Sequence, residues 1–115
     1  MPWTPVAAMR YALRGLRFFF EERNAWLLAA GTVAVLAAGL WYGIEPLEWC
    51  ALAAATTLLW MAEALNGALE RLTDLVSPGY HPLAGKAKDL GAAAVLLALA
   101  GAVSIGLIVF VPRVF

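Results

Sequence analysis

EALNGALERLTD, from Glu63 to Asp74, is followed after a short turn by YHPLAGKAKD, from Tyr80 to Asp89, and together they form the polar centre of an otherwise apolar chain. On an α-helix turning about 100° per residue, Glu63, Glu70 and Asp74 fall within about 40° of one another, with Asn66 at the edge of the same stripe. Carboxylate and amide oxygens on one helix face suit Mg²⁺ and a hydroxyl-bearing substrate. Charge flanked by apolar runs is costly in a bilayer unless it is paired or put to use.

The surroundings of that stripe set the class of the protein. Of 115 residues, 63% are hydrophobic and 14% charged, and the mean hydropathy is +0.81. A water-soluble domain averages about 25% charged residues, so this chain has too little polar surface for water and belongs in a membrane. Uncharged runs extend from Asn24 to Ile44, from Trp49 to Ala62 and from Leu90 to Pro112. The first and third exceed the ~20 residues that cross the hydrocarbon core as a helix. The middle run is shorter and reads as part of a helix from about Pro46 to Val76, whose far end leaves the lipid and carries the carboxylates into the headgroup zone. The expected architecture is all-α and a single domain over 1–115: a surface helix at about 5–22 and spans at about 25–44, 47–75 and 84–111.

Basic residues orient these spans. Arg10, Arg14, Arg17 and Arg23 precede the first span and Arg71, Lys86 and Lys88 lie between the second and third, whereas the connection from Trp41 to Trp49 has no Lys or Arg. By the positive-inside rule the N-terminus and the acidic stripe face the cytoplasm, where ATP and Mg²⁺ are found. Arg10, Arg14, Arg17 and Glu21 recur at helical spacing, which predicts an interfacial helix with Phe18, Phe19 and Phe20 inserted into the membrane. No signal peptide is expected, because the arginines are spread through the segment. Cys50 is the lone cysteine and reads as a small core residue. Small residues in the spans, among them Gly31, Gly91 and Gly101, permit close helix approach and make a homo-oligomer plausible.

On its own, Glu63 reads as a helix-end carboxylate that snorkels to water, and Lys88 with Asp89 as an ordinary basic loop. Four polar groups on one stripe are more than solubility requires. Glu63 and Glu70 are roughly 10 Å apart along the axis, too far to chelate one ion together, so their roles must differ. The division that follows has Glu70, helped by a carboxylate from another helix, holding Mg²⁺ on a nucleotide, while Glu63, two turns deeper, meets a lipid-borne hydroxyl as general base. Lys88 is the natural phosphate partner, with Asp89 orienting its ammonium. His81 is a local hydrogen-bonder before it is a metal ligand, and Tyr80 and Trp26 fit interfacial anchoring. There is no glycine-rich loop of the Walker or protein-kinase type.

At these residues the sequence resembles the small prokaryotic diacylglycerol kinase family, which includes undecaprenol kinases. E-x-x-N-x-A-x-E-x-x-x-D stands as Glu63, Asn66, Ala68, Glu70 and Asp74, and H-x-x-x-x-x-A-K-D-x-x-x-A-A-V as His81, Ala87, Lys88, Asp89, Ala93, Ala94 and Val95. The resemblance implies a homotrimeric enzyme of the bacterial inner membrane, with active sites shared between subunits on the cytoplasmic side, that transfers the γ-phosphate of Mg-ATP to a lipid alcohol. It makes Glu63 the catalytic base, Glu70 and Glu22 the metal ligands, and Asn66, Tyr80, His81, Lys88 and Asp89 the nucleotide-binding set. Glu21, adjacent to Glu22, is the other candidate for the N-terminal ligand.

Family members often carry an arginine and an acidic residue or histidine where this chain has Trp26 and Leu28. The expected reaction is phosphorylation of diacylglycerol to phosphatidic acid, with undecaprenol as the alternative substrate. A reading of a different class is a non-catalytic membrane protein, or a proton-coupled transporter using Glu63 as its buried acid. No nucleic-acid partner is expected.

Overall fold

The computed structural model describes residues 4–115 and consists of four helices: α1 (Pro5–Phe19), α2 (Ala25–Tyr42), α3 (Pro46–Val76) and α4 (Pro82–Val114). Three of them start alike. Pro5, Pro46 and Pro82 stand in the first turn, where the missing N–H costs nothing and the fixed φ suits a helix. Each follows a residue whose side chain takes an orphan backbone donor. Thr4 Oγ1 accepts from Ala7 N at 3.1 Å and His81 Nδ1 from Leu83 N at 3.1 Å. Glu45 and Glu48 form a capping box at the head of α3. The end of α2 is set by Gly43, whose φ of +61° is the left-handed conformation that only glycine adopts without strain.

Helices α2, α3 and α4 are long and apolar enough to cross a membrane. At about 1.5 Å per residue, the 31 residues of α3 and 33 of α4 run to nearly 50 Å, well beyond a hydrocarbon core of about 30 Å. With Pro46 at one edge, α3 reaches the other edge near Leu65, which leaves Glu63 at the boundary and carries Glu70 and Asp74 beyond it.

Most tertiary contact is between α3 and α4, which run antiparallel from the turn at Ser77–His81. Away from that turn, Ile44, Leu52 and Val109 form a buried cluster with Trp49 and Phe110 packed around it. The Trp49 ring lies so close to Gly39 that a β-carbon there would collide with it. Arg113 forks onto Glu48, with Nη1 on Oε2 at 2.7 Å and Nη2 on Oε1, and so ties the tail of α4 to the head of α3.

At the polar end, the link is aromatic. Phe19 stacks on Trp60 with ring centroids 4.9 Å apart, and Trp60 Nε1 donates to Thr32 Oγ1 at 2.9 Å. One indole thereby joins α1, α2 and α3.

This arrangement corrects three expectations. Helix α1 ends at Phe19, so Glu21 sits in the following turn and not on the arginine face. Phe19 is buried in its stack on Trp60 of α3 and is not inserted into lipid; Phe18 and, at the margin, Phe20 are exposed. Cys50 is exposed, since its side of α3 faces neither α2 nor α4.

The indole link predicts coupling. Trp60→Phe keeps the ring and loses the hydrogen bond, at a cost of about 0.6 kcal/mol, and Trp60→Ala loses the stacking as well, at about 2 kcal/mol. In reversible unfolding in detergent, Trp60→Phe and Thr32→Val should be non-additive. Full additivity would show that the bond contributes nothing.

Candidate active site

The polar end of α3 is occupied in order along its axis. Glu63 comes first, with only 4% of its surface exposed. It lines a cleft of about 520 Å³ between α2, α3 and α4, whose walls are Leu28, Val35, Leu59 and Leu99 and similar groups, with Asn24 at the same end as Glu63. An aliphatic chain fits such walls, and Glu63 and Asn24 are the polar groups it would meet at that end.

One turn further, Asn66 Nδ2 reaches Glu70 Oε1 at 3.5 Å, while Asn66 Oδ1 is buried without a hydrogen-bond partner. It lies against Gly91 of α4, where a β-carbon would strike it. Gly67 plays the same part on the other side. The carboxylate of Glu22, from the turn between α1 and α2, rests in the space that a Gly67 side chain would fill. Arg71 Nη2 contacts Glu22 Oε1 at 3.1 Å and Glu21 Oε2 at 3.5 Å.

Asp74 completes the series. Lys88 Nζ, from the first turns of α4, meets Asp74 Oδ1 at 2.6 Å. These two line a polar recess of about 170 Å³ together with Tyr80, His81 and Gly79 of the turn. Over the 12 residues from Glu63 to Asp74, a rise of about 16 Å, the surroundings pass from an apolar cleft to an exposed ion pair.

The structure thus brings Glu63, Asn66, Glu70 and Glu22 together on one stretch of α3, and Lys88, Tyr80 and His81 around the recess beyond it. Asp89 is not part of this assembly. Consecutive residues on a helix point about 100° apart, so Lys88 and Asp89 do not face each other and Lys88 pairs across the turn with Asp74 instead. His81 is the N-cap of α4, as its place before Pro82 suggests. Glu22 reaches α3 of its own chain, at Gly67.

Sequence reasoning missed the contacts of Arg71 and the two glycine cradles. The Gly67 cradle had one signal: a glycine inside a strongly helical segment costs about 1 kcal/mol relative to alanine, which implies a close neighbour.

Residues fit for a divalent cation are present. Among the described residues no group of three or more His, Cys, Asp or Glu side chains is placed to hold a metal ion alone. Mg²⁺, however, is usually held by one or two carboxylates with nucleotide phosphates completing its shell. The unpartnered Asn66 Oδ1 and the Gly67 cradle that admits Glu22 between Glu63 and Glu70 suit that kind of site.

Residues 10–110 match the sequence profile of the family described as prokaryotic diacylglycerol kinase. The chain belongs to that family. A protein of Bacillus subtilis (strain 168) named undecaprenol kinase is 36% identical over 92 residues, covering 80% of this chain and 75% of the relative. One named diacylglycerol kinase from Escherichia coli (strain K12) is 35% identical over 101 residues, 85% of this chain and 81% of that protein. Another of that name, from Synechocystis sp., is 38% identical over 109 residues, 93% of this chain but 62% of the longer relative. These names are those of lipid kinases, and this family member shares their enzyme class. The transporter and non-catalytic readings are set aside accordingly.

The Gly67 cradle gives a graded prediction for this kinase. Gly67→Ala adds one methyl against the end of a flexible side chain, so Glu22 shifts slightly; if Glu22 serves a divalent cation, the Mg²⁺ requirement changes little. Gly67→Val expels the carboxylate and should raise that requirement severalfold while the helical circular dichroism is kept. Equal Mg²⁺ titrations for wild type and Gly67→Val would place Glu22 outside the metal site.

Proposed function

We propose that the protein transfers the γ-phosphate of Mg-ATP to the hydroxyl of diacylglycerol, giving phosphatidic acid and ADP. The observation that carries this reading is the order of groups along α3: a buried carboxylate at the mouth of an apolar cleft, then the Glu22 and Glu70 carboxylates, then a polar recess bearing Lys88. A lipid alcohol presents its chains to lipid and its hydroxyl to the interface, and a nucleotide approaches from water. Their reacting ends meet between Glu63 and Glu70.

In this reading Glu63 takes the proton of the lipid hydroxyl as its oxygen attacks the γ-phosphorus, and the bond to the bridging β–γ oxygen breaks to release ADP. Glu22 and Glu70 would hold Mg²⁺, and Asn66, bonded to Glu70, keeps that carboxylate in place. The ion, when bound, supplies positive charge against the phosphates. Lys88 exchanges its Asp74 partner for a phosphate oxygen, and Tyr80 and His81 border the nucleoside. Asp89, exposed on α4 next to Lys88, belongs to the nucleotide-binding set that the family resemblance implies.

The site faces the cytoplasm of a bacterial inner membrane, consistent with the basic residues on that side. The exposed apolar faces of α2, α3 and α4 support the homotrimer that the family resemblance implies. Within such a trimer, the Glu22 and Glu70 carboxylates of one site come from the same chain. Undecaprenol is the alternative acceptor, since one relative of comparable identity is named for it.

Purified protein with labelled ATP and a panel of diacylglycerol, monoacylglycerol, ceramide and undecaprenol tests both readings. Diacylglycerol should be the preferred acceptor; preference for undecaprenol would move the function to the alternative. On the preferred lipid, Glu63→Gln should lower turnover by ~10²–10⁴-fold, the usual contribution of a general base, with Mg-ATP binding nearly intact. More than half of wild-type turnover in Glu63→Gln would remove it from the chemistry.

A further inference from the structure

Arg71 is unused by the mechanism, yet it is the cation in contact with the Glu22 carboxylate. The contact has two features that matter. Glu22 is well covered, with 13% of its side chain exposed, whereas Arg71 is 54% exposed and can move. Its approaches to both carboxylates involve the same Nη2, to Glu22 at 3.1 Å and to Glu21 at 3.5 Å. A guanidinium shared between two carboxylates has a second partner within reach when it leaves the first.

We propose that Arg71 is the resident counter-ion of the metal site, neutralising Glu22 while no divalent cation is bound and withdrawing to Glu21 when one arrives. This rests on the assignment of Glu22 and Glu70 as the metal-binding carboxylates. A covered carboxylate beside Glu63 and Glu70 carries uncompensated negative charge, which a low-dielectric site penalises. Arg71 relieves that charge in the empty enzyme, and the adjacent Glu21, 61% exposed, offers it a partner on release. The consecutive glutamates then have separate tasks: Glu22 binds the ion and Glu21 holds the displaced arginine.

The consequence is competition, and its sign differs from that of a structural ion pair. A guanidinium that only props Glu22 in position helps the metal; one that occupies its oxygen opposes it. Binding of Mn²⁺ to the nucleotide-free protein in detergent, followed by loss of the free-ion electron paramagnetic resonance signal, separates the two without any turnover. Arg71→Ala, and Arg71→Met, which keeps the aliphatic stem, should tighten Mn²⁺ binding about two- to fivefold, the scale of a partly exposed ion pair. Glu21→Gln should weaken it in the wild-type background and have little effect once Arg71 is gone.

Unchanged or weaker Mn²⁺ binding in both Arg71 variants overturns the proposal. A Glu21→Gln effect that persists without Arg71 assigns Glu21 to the metal itself and overturns it as well. Glu70→Gln distinguishes failure of the underlying site: if it leaves Mn²⁺ affinity unaltered, the metal assignment falls and the counter-ion role with it, whereas loss of binding in Glu70→Gln alone leaves the Arg71 result decisive.

Discussion

A carboxylate cannot sit among apolar helices without a reason, and the placement of Glu63 constrains everything around it. It is almost wholly covered by protein, yet it lies where α3 leaves the span of a bilayer, two turns below groups that reach water. That position requires α3 to be longer than a membrane crossing, which its 31 residues supply. It also requires α4 to return alongside, and the turn from Ser77 to His81 with Pro82 at the next helix start brings this about. Close packing of α4 at Gly91 and of the Glu22 turn at Gly67 then converts a helix surface into an enclosed polar track.

The two ends of the bundle are held by different physics. Around Ile44, Leu52 and Val109 the helices are packed by apolar contact and closed by the Arg113–Glu48 fork. Near the stripe, one indole connects three helices through stacking and a hydrogen bond. The second device positions function, because the Phe19–Trp60 stack fixes where α1 stops and therefore where Glu22 begins its approach to α3. A lipid kinase with so small a bundle needs few catalytic groups, since phosphoryl transfer asks mainly for positioning and charge.

Much of this is legible in the residues. Proline after a capping residue marks three helix starts, the uncharged runs mark the spans, and helical periodicity places Glu63, Asn66, Glu70 and Asp74 on one stripe. What periodicity cannot supply is contact between elements. Lys88 pairs with Asp74 and not with its neighbour Asp89 because adjacent helical residues diverge, and only the turn geometry shows which carboxylate lies opposite. Phe19 looks like one of three interchangeable membrane anchors until the end of α1 directs it onto Trp60. Glu22 is recognisable as a candidate ligand, but its seat over Gly67 depends on a side chain that is absent, and an absence gives no periodic signal.

The central claim is that the Glu22 turn and the α3 stripe of a single chain build one lipid-phosphorylating site. Subunit mixing tests it most directly. Glu22→Gln and Glu70→Gln proteins, each inactive alone, are combined under conditions where crosslinking demonstrates exchange of subunits. If both carboxylates of a site come from one chain, every site in every mixed oligomer keeps a defect and activity stays at background at all ratios. Recovery of activity on mixing would mean that Glu22 serves a neighbour's α3 and would contradict the account.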